Sequence, residues 1–175
     1  MKVVALLGPE SAGKSRLAEQ LRAHFGGEVV GEYVREYFAA LGRDTCLADI
    51  TPIARGQLAR EDAARARAPA LLLLDTHLLS NRLWSLALFG ACPRWLNPTL
   101  LSRHYDLHLL LSPHGVPWQA DGQRCQPALE QRLAFFDANR HWLELHGQPY
   151  AVLEGDWAAR EAAAVRHVAT LLGGA

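Results

Sequence analysis

Apolar residues along this chain fall into two alternating rhythms, short unbroken runs and stripes that recur every three or four positions. Unbroken runs read as strands buried on both faces of a sheet, and stripes read as helices with one apolar side. The first run, Lys2-Val-Val-Ala-Leu-Leu7, predicts a strand, and Leu17, Leu21 and Phe25 at i, i+4 and i+8 predict the helix that follows. Glu28-Val-Val30 reads as a short second strand, and Glu32 to Leu41 as a helix stopped by Gly42. Thr51 as N-cap and Pro52 at the first position open another helix, running through Arg67 to a stop at Pro69. Ala70-Leu-Leu-Leu-Leu-Asp75 then has the continuous apolar character of a central parallel strand and ends in a carboxylate. Further on, His77 to Phe89, Ala128 to His146 and Trp157 to Leu172 read as helices, Leu107 to Leu111 and Tyr150 to Leu153 as strands. Pro113 to Pro127 follows neither rhythm and reads as a functional loop. Strands alternating with helices predict an α/β fold. The expected architecture is a parallel sheet of about five strands flanked by helices, joined by right-handed crossovers, in one domain over residues 1–175.

Between the first strand and the first helix lies Gly8-Pro9-Glu10-Ser11-Ala12-Gly13-Lys14-Ser15, a complete G-x-x-x-x-G-K-S sequence. Backbone N–H groups of such a turn wrap a polyphosphate, the helix behind adds its positive N-terminal end, and the lysine and serine reach the phosphates and Mg²⁺. Chance yields on the order of one such match per thousand chains of this composition. Strand, loop and helix also stand in the required order. The motif therefore predicts a P-loop NTPase fold that binds ATP through Gly8, Glu10, Ser11, Ala12, Gly13, Lys14 and Ser15.

Charge and cysteine content narrow the partners. Eighteen basic residues cancel eighteen acidic ones, with no block of one sign, so a small-molecule acceptor beside ATP is expected rather than nucleic acid or a membrane. Cys46, Cys92 and Cys125 form no C-x-x-C pair, which points to reduced thiols in a cytoplasm. No apolar run approaches the roughly 20 residues that span a bilayer, and none resembles a cleavable leader. The eight histidines show no metal-ligand spacing. Composition sets no oligomeric state.

Ligands of a parallel α/β sheet gather beyond the carboxyl ends of its strands, and three clusters fall there. Asp75 can hold Mg²⁺ together with the Ser15 hydroxyl, or cap the helix after it. Glu32-Tyr33-Val34-Arg35-Glu36-Tyr37 packs carboxylates, phenols and a guanidinium into one turn, suited to binding a hydroxylated acceptor and taking its proton, or to a solvated helix start. Trp118, Asp121 and Arg124 sit in the proline-bounded loop, which is either a lid that closes Arg124 over the β and γ phosphates or an ordinary surface loop. On the catalytic reading, Lys14 and Arg124 stabilise phosphate charge and Glu32 is the preferred general base, with Asp75 as the alternative.

These segments together resemble the kinase-type domain of the bifunctional nicotinamide-nucleotide proteins of bacteria and their stand-alone AAA-type ATPase relatives. The resemblance spans the chain through the phosphate loop, Glu32-Tyr-Val-Arg-Glu-Tyr37, Ile53-Ala-Arg-Gly-Gln57, Asp75-Thr76, Cys92-Pro-Arg-Trp95, Tyr105-Asp-Leu107 and Pro117-Trp-Gln-Ala-Asp-Gly-Gln-Arg124. It implies ATP-dependent phosphorylation of ribosylnicotinamide to nicotinamide mononucleotide, a step of NAD salvage, without the adenylyltransferase and DNA-binding domains of longer members. Members that bind nicotinamide place a tryptophan before the Glu-Tyr pair, where this chain has Gly31. An aromatic partner for the pyridine ring is then expected among Tyr33, Tyr37 and Trp84. A kinase of another nucleoside or sugar, and a nucleotide-dependent switch ATPase without an acceptor, share the same phosphate site.

Overall fold

In the computed structural model, which describes residues 1–122 and 124–173, five strands form one parallel sheet. The strands are β1 (Lys2–Leu7), β2 (Glu28–Val30), β3 (Leu71–Asp75), β4 (Leu107–Leu111) and β5 (Tyr150–Leu153), in the spatial order β2-β3-β1-β4-β5. The chain thus starts at the sheet centre, builds one side through β3 and β2, then the other through β4 and β5. Because β1 lies between β3 and β4, with Leu6 beside both Asp75 and Leu109, the phosphate loop that follows it leaves from mid-sheet. That is the switch point where open α/β sheets bind ligands.

Among the described residues seven α-helices cover the two faces: α1 (Lys14–Phe25), α2 (Tyr33–Leu41), α3 (Ile50–Ala66), α4 (Leu78–Phe89), α5 (Leu96–Leu101), α6 (Leu129–Leu145) and α7 (Trp157–Leu171). Period-2 alternation splits the strands between two cores. Val3, Ala5, Leu7, Leu72, Leu74 and Leu110 meet residues of α3, α4 and α6 such as Ala54, Leu78, Phe135 and Leu143. Val4, Leu6, Leu71, Leu73, Leu109 and Leu111 meet Leu17, Ala18 and Leu21 of α1 and Ala164 and Val168 of α7. Each of these leucines is almost completely buried, a burial that contributes roughly 1.5–3 kcal/mol per side chain.

Some boundaries depart from expectation. Helix α3 starts at Ile50 after a 3₁₀ turn at Leu47–Asp49, so Thr51 lies inside the first turn and Asp49, not Thr51, occupies the cap position. The Asp49 carboxylate instead accepts from Cys46 N, from Tyr37 Oη and from both Arg43 Nη atoms, which ties the α2–α3 connection together. Helix α5 falls between Gly90 and Leu107, where the sequence pattern assigns no element. Pro98 is compatible with it, since it falls in the first turn, where no intrahelical N–H bond is lost.

Two of the eight histidines are fully buried and join the sheet to α4. His77 Nδ1 accepts from Leu79 N and caps α4, while its Nε2 meets His108 Nε2 at 3.1 Å, and His108 Nδ1 lies 2.9 Å from the Pro149 carbonyl. Each nitrogen has one partner if His77 carries its proton on Nε2 and His108 on Nδ1. Burial pushes the His108 pKa down to about 4 and that of His77 well below the usual range, so both are neutral at physiological pH. No group of three or more metal-type ligands occurs among the described residues, and no described helix is long and apolar enough to cross a membrane.

Candidate active site

The phosphate loop joins β1 to α1, and two glycines make its path possible. Gly8 has φ 135° and Gly13 has φ 94°, conformations that side chains rarely adopt. A Cβ on Gly8 would sit 2.6 Å from the Leu111 carbonyl oxygen, and one on Gly13 would sit 2.6 Å from the Trp157 ring. No side chain caps the N-terminus of α1, so its first N–H groups remain for an anion. Lys14 opens the helix and its Nζ donates to the carbonyls of Gly8 and Pro9, both at 3.0 Å. Ser15 is exposed beside it.

Asp75 ends β3 one strand away, 5% exposed, and its Oδ1 has no hydrogen-bond partner among the described residues. His77 caps α4, so Asp75 is not used as a cap. Burial raises its pKa above the usual carboxylate range, the nearby charge of Glu32 adds to the rise, and Lys14, the Ser15 hydroxyl and Arg35 oppose it. An orphaned buried carboxylate oxygen beside a serine hydroxyl at a phosphate loop fits Mg²⁺, which takes one or two protein oxygens and fills its other positions with water and phosphate. The next residue, Thr76, has φ 74°, strained for a β-branched side chain. It turns the chain abruptly from the strand into the site.

A cavity of about 910 Å³ is lined by this loop and by residues of α2, α3 and α4. Lys14, Ser15 and Trp157 belong to its wall together with Glu32, Phe38, Ile53, Trp84 and Phe89, and Arg124 lines it from the loop after β4. Glu32 stands at the N-terminus of α2 with Oε2 accepting from Arg35 Nε at 3.1 Å. Gln57 of α3 fixes that helix start, its Oε1 accepting from Tyr33 N at 2.8 Å and its Nε2 donating to Gly31 O. Three residues of the Glu32–Tyr37 cluster face elsewhere. Tyr33 lies over Gly56, where any Cβ would strike its ring, and under the Arg60 guanidinium. Glu36 is exposed and paired with Arg60, and Tyr37 donates to Asp49. None of the three belongs to the cavity wall.

Within the segment Pro113–Pro127, Trp118, Gln119, Cys125 and Gln126 bond to the phosphate loop, and Arg124 is held in a frame of its own. Arg124 N donates to Asp121 Oδ1 at 3.0 Å, Arg124 Nε pairs with Asp121 Oδ2 at 3.1 Å, and Arg124 Nη1 donates to Gln119 O at 2.6 Å. Asp121 Oδ2 also accepts from Arg35 Nη1 at 3.0 Å, so an alternating series Glu32, Arg35, Asp121, Arg124 connects the α2 carboxylate to the lid arginine. Trp118 lies outside the cavity wall and donates from Nε1 to Glu10 of the phosphate loop. Gln123 of the lid motif lies outside the described residues.

Several cavity residues have no counterpart in the sequence reading. Trp157 presses on Gly13 and lies beneath the Arg16 guanidinium, 4.1 Å from its ring centroid. Its sequence signal is its place just past the last strand, where ligands of such sheets collect. Phe38 and Phe89 read only as apolar helix positions, which core packing explains equally well.

A family profile described as an AAA domain matches residues 3–160. The trifunctional NAD biosynthesis/regulator protein NadR of Salmonella typhimurium is 31% identical over 77% of this chain and 34% of its own length. NadR of Escherichia coli is 29% identical over 99% of this chain and 43% of its own length, so the chain spans less than half of each of these two curated relatives. A crystal structure of NadR protein in complex with NR superposes with a TM-score of 0.83 at 25% identity, covering 99% of this chain and 52% of that one. Deoxyadenosine kinase from M. mycoides shares the fold alone, at TM-score 0.65 and 13% identity over 96% of this chain and 99% of that one.

Proposed function

The chain belongs to this AAA domain family and has the fold of a P-loop kinase, and from that premise we propose that it transfers the γ-phosphoryl group of ATP to nicotinamide riboside, forming nicotinamide mononucleotide. The observation that carries this reading is the continuity of the cavity. One cavity is lined both by the phosphate-binding loop and by Glu32 with the aromatic side chains of Phe38, Trp84 and Phe89, which is an arrangement for a second substrate beside ATP. A switch ATPase has no need of that aromatic lining. The likeness to NadR, one structure of which contains NR, supports nicotinamide riboside as the occupant.

The chain's own groups divide the work as follows. Lys14 and the loop N–H groups hold the triphosphate, and Ser15 and Asp75 would hold Mg²⁺, which offsets phosphate charge when bound. Glu32 accepts the proton of the attacking hydroxyl, its carboxylate held by Arg35. Arg124, braced by Asp121 and Gln119, meets the charge that spreads over the transferred group. Arg124→Ala is expected to lower kcat about 10²-fold with little change in ATP affinity, because that contact matures only in the transition state. Equal losses in both would make it a ground-state contact.

Trp84 is the ring partner that the geometry favours over Tyr33 and Tyr37, since only Trp84 of the three lines the cavity. One side of its indole packs on Phe135, 4.8 Å between centroids. Trp84→Leu keeps apolar bulk there and removes the aromatic face. It is expected to raise KM for the riboside about tenfold with kcat and ATP kinetics nearly unchanged, as loss of a cation–π contact and of uniform binding should. The reading as a whole is tested by incubating the protein with Mg·ATP and a nucleoside panel and weighing the products. A monophosphate of nicotinamide riboside is expected; a monophosphate of another nucleoside alone would reassign the acceptor, and ATP hydrolysis without any phosphorylated acceptor would overturn the kinase.

A further inference from the structure

Glu10 is the sole acidic residue of the phosphate-binding loop, where a carboxylate repels the triphosphate the loop serves. The structure commits this side chain to the lid. Its Oε1 accepts from Trp118 Nε1 at 2.9 Å and from Gln126 N, and its Oε2 accepts from Cys125 N at 3.1 Å. Ser11, the next loop residue, adds a reciprocal pair with the lid backbone, its Oγ accepting from Gln119 N at 3.1 Å and donating to Gln119 O at 3.4 Å. These attachment points bracket Arg124, two before it in the chain and two after it. Gln119 O also receives Arg124 Nη1, so the residue that Ser11 anchors is itself part of the arginine's frame.

We propose that Glu10 is a positioning residue for phosphoryl transfer, a clasp that fastens both ends of the Trp118–Gln126 segment to the phosphate loop and so sets Arg124 over the phosphates. The proposal rests on the kinase reading for its chemistry and on the hydrogen bonds alone for its geometry. Charge-assisted bonds from two backbone N–H groups and an indole are strong enough to hold a loop whose described residues form no helix or strand. The clasp also explains the sign of the residue. An anion near the triphosphate weakens ATP binding slightly, and it is useful there only if it acts on something other than ATP.

That opposition of sign makes the test specific. Glu10→Gln keeps the size of the side chain, removes its charge and leaves one acceptor oxygen for three donors. The expected result is a kcat about tenfold lower with ATP affinity unchanged or tighter, the division that follows when only transition-state contacts are weakened. Because Glu10 acts through Arg124, the double variant Glu10→Gln/Arg124→Ala is expected to be no slower than Arg124→Ala alone. Hydrogen exchange at the Cys125 and Gln126 amides should quicken in Glu10→Gln while exchange in α1 stays as in wild type. Weaker ATP binding in step with kcat, or multiplying losses in the double variant, would make Glu10 a nucleotide contact or an independent group and overturn the proposal. Unchanged exchange at both amides would overturn the clasp itself. That last measurement needs no turnover, so it decides the clasp even if the wild type phosphorylates no acceptor and the kinase reading falls.

Discussion

Lys14→Ala is expected to reduce phosphoryl transfer at least 10²- to 10³-fold while leaving the protein folded, the range seen when a single charge-stabilising donor is removed. The size follows from where the ammonium stands. Lys14 is one of two lysines in the chain, and the other, Lys2, pairs with Asp106 at the opposite end of β1. No second ammonium can therefore substitute at the phosphate loop. The fold depends little on Lys14, because among the described residues its Nζ bonds only to the carbonyls of Gly8 and Pro9, and alanine is the better helix former at the first position of α1. Losing those two bonds costs about 1–3 kcal/mol each at most, less for a partly exposed ammonium that water can solvate. Turnover and thermal unfolding measured on the same preparation check both halves. Undiminished turnover in a folded variant would remove the phosphate-site assignment and everything built on it.

The order of the elements was legible because strands buried on both faces have no polar positions to confuse the period. Leu71 to Leu74 is the clearest example, its four leucines split between two cores on opposite faces. Elements that owe their form to tertiary contacts were not legible. The Leu96–Leu101 helix is one turn and a half long, too short for a stripe to emerge, and it exists because Leu96 and Leu100 are buried against the core. Thr51 fits the rule for a helix cap, yet the 3₁₀ turn before it places Asp49 first, since that carboxylate is needed for Arg43, Tyr37 and Cys46 N.

At the site, legibility followed local spacing. Phosphate-loop residues are contiguous, so one motif names them together, and Asp75 is marked by its place at a strand end. Direction around a helix is harder to read. Glu32 faces the cavity from the α2 cap position, whereas Tyr33, Glu36 and Tyr37 point to α3 and the α2–α3 connection, because Gly56 leaves room for the Tyr33 ring and Asp49 draws in the Tyr37 hydroxyl. Nothing in six consecutive residues announces which side the neighbouring helix will occupy. Trp157 and the lid partners of Glu10 are more than a hundred residues from the loop they touch, and only the fold brings them there.

Asp75→Asn is expected to move activity and stability in opposite directions. Asparagine cannot offer an anionic oxygen to Mg²⁺, so Mg·ATP turnover should fall by about 10² or more, comparable to loss of other groups that neutralise phosphate charge. The apo protein should at the same time become more stable. Wild-type Asp75 buries a carboxylate with one oxygen unpartnered and with Glu32 nearby, and an uncompensated buried polar group costs about 1–3 kcal/mol. The pH dependence follows from the raised pKa. In the native state Asp75 keeps its proton at pH values where the unfolded chain has lost it, so the native state binds more protons and stability falls as pH rises from the ordinary carboxylate range through the native pKa. Above that window the full cost is present; below it the wild-type group is neutral and the advantage of asparagine should vanish. Unfolding midpoints of both proteins without Mg²⁺, measured from neutral pH down to the ordinary carboxylate range, give the comparison. A variant less stable than wild type at neutral pH would mean that Lys14 and Ser15 already compensate the buried charge. Asp75 would then be a structural ion-pair partner, and its place in the Mg²⁺ site would lose the support of its unpartnered oxygen.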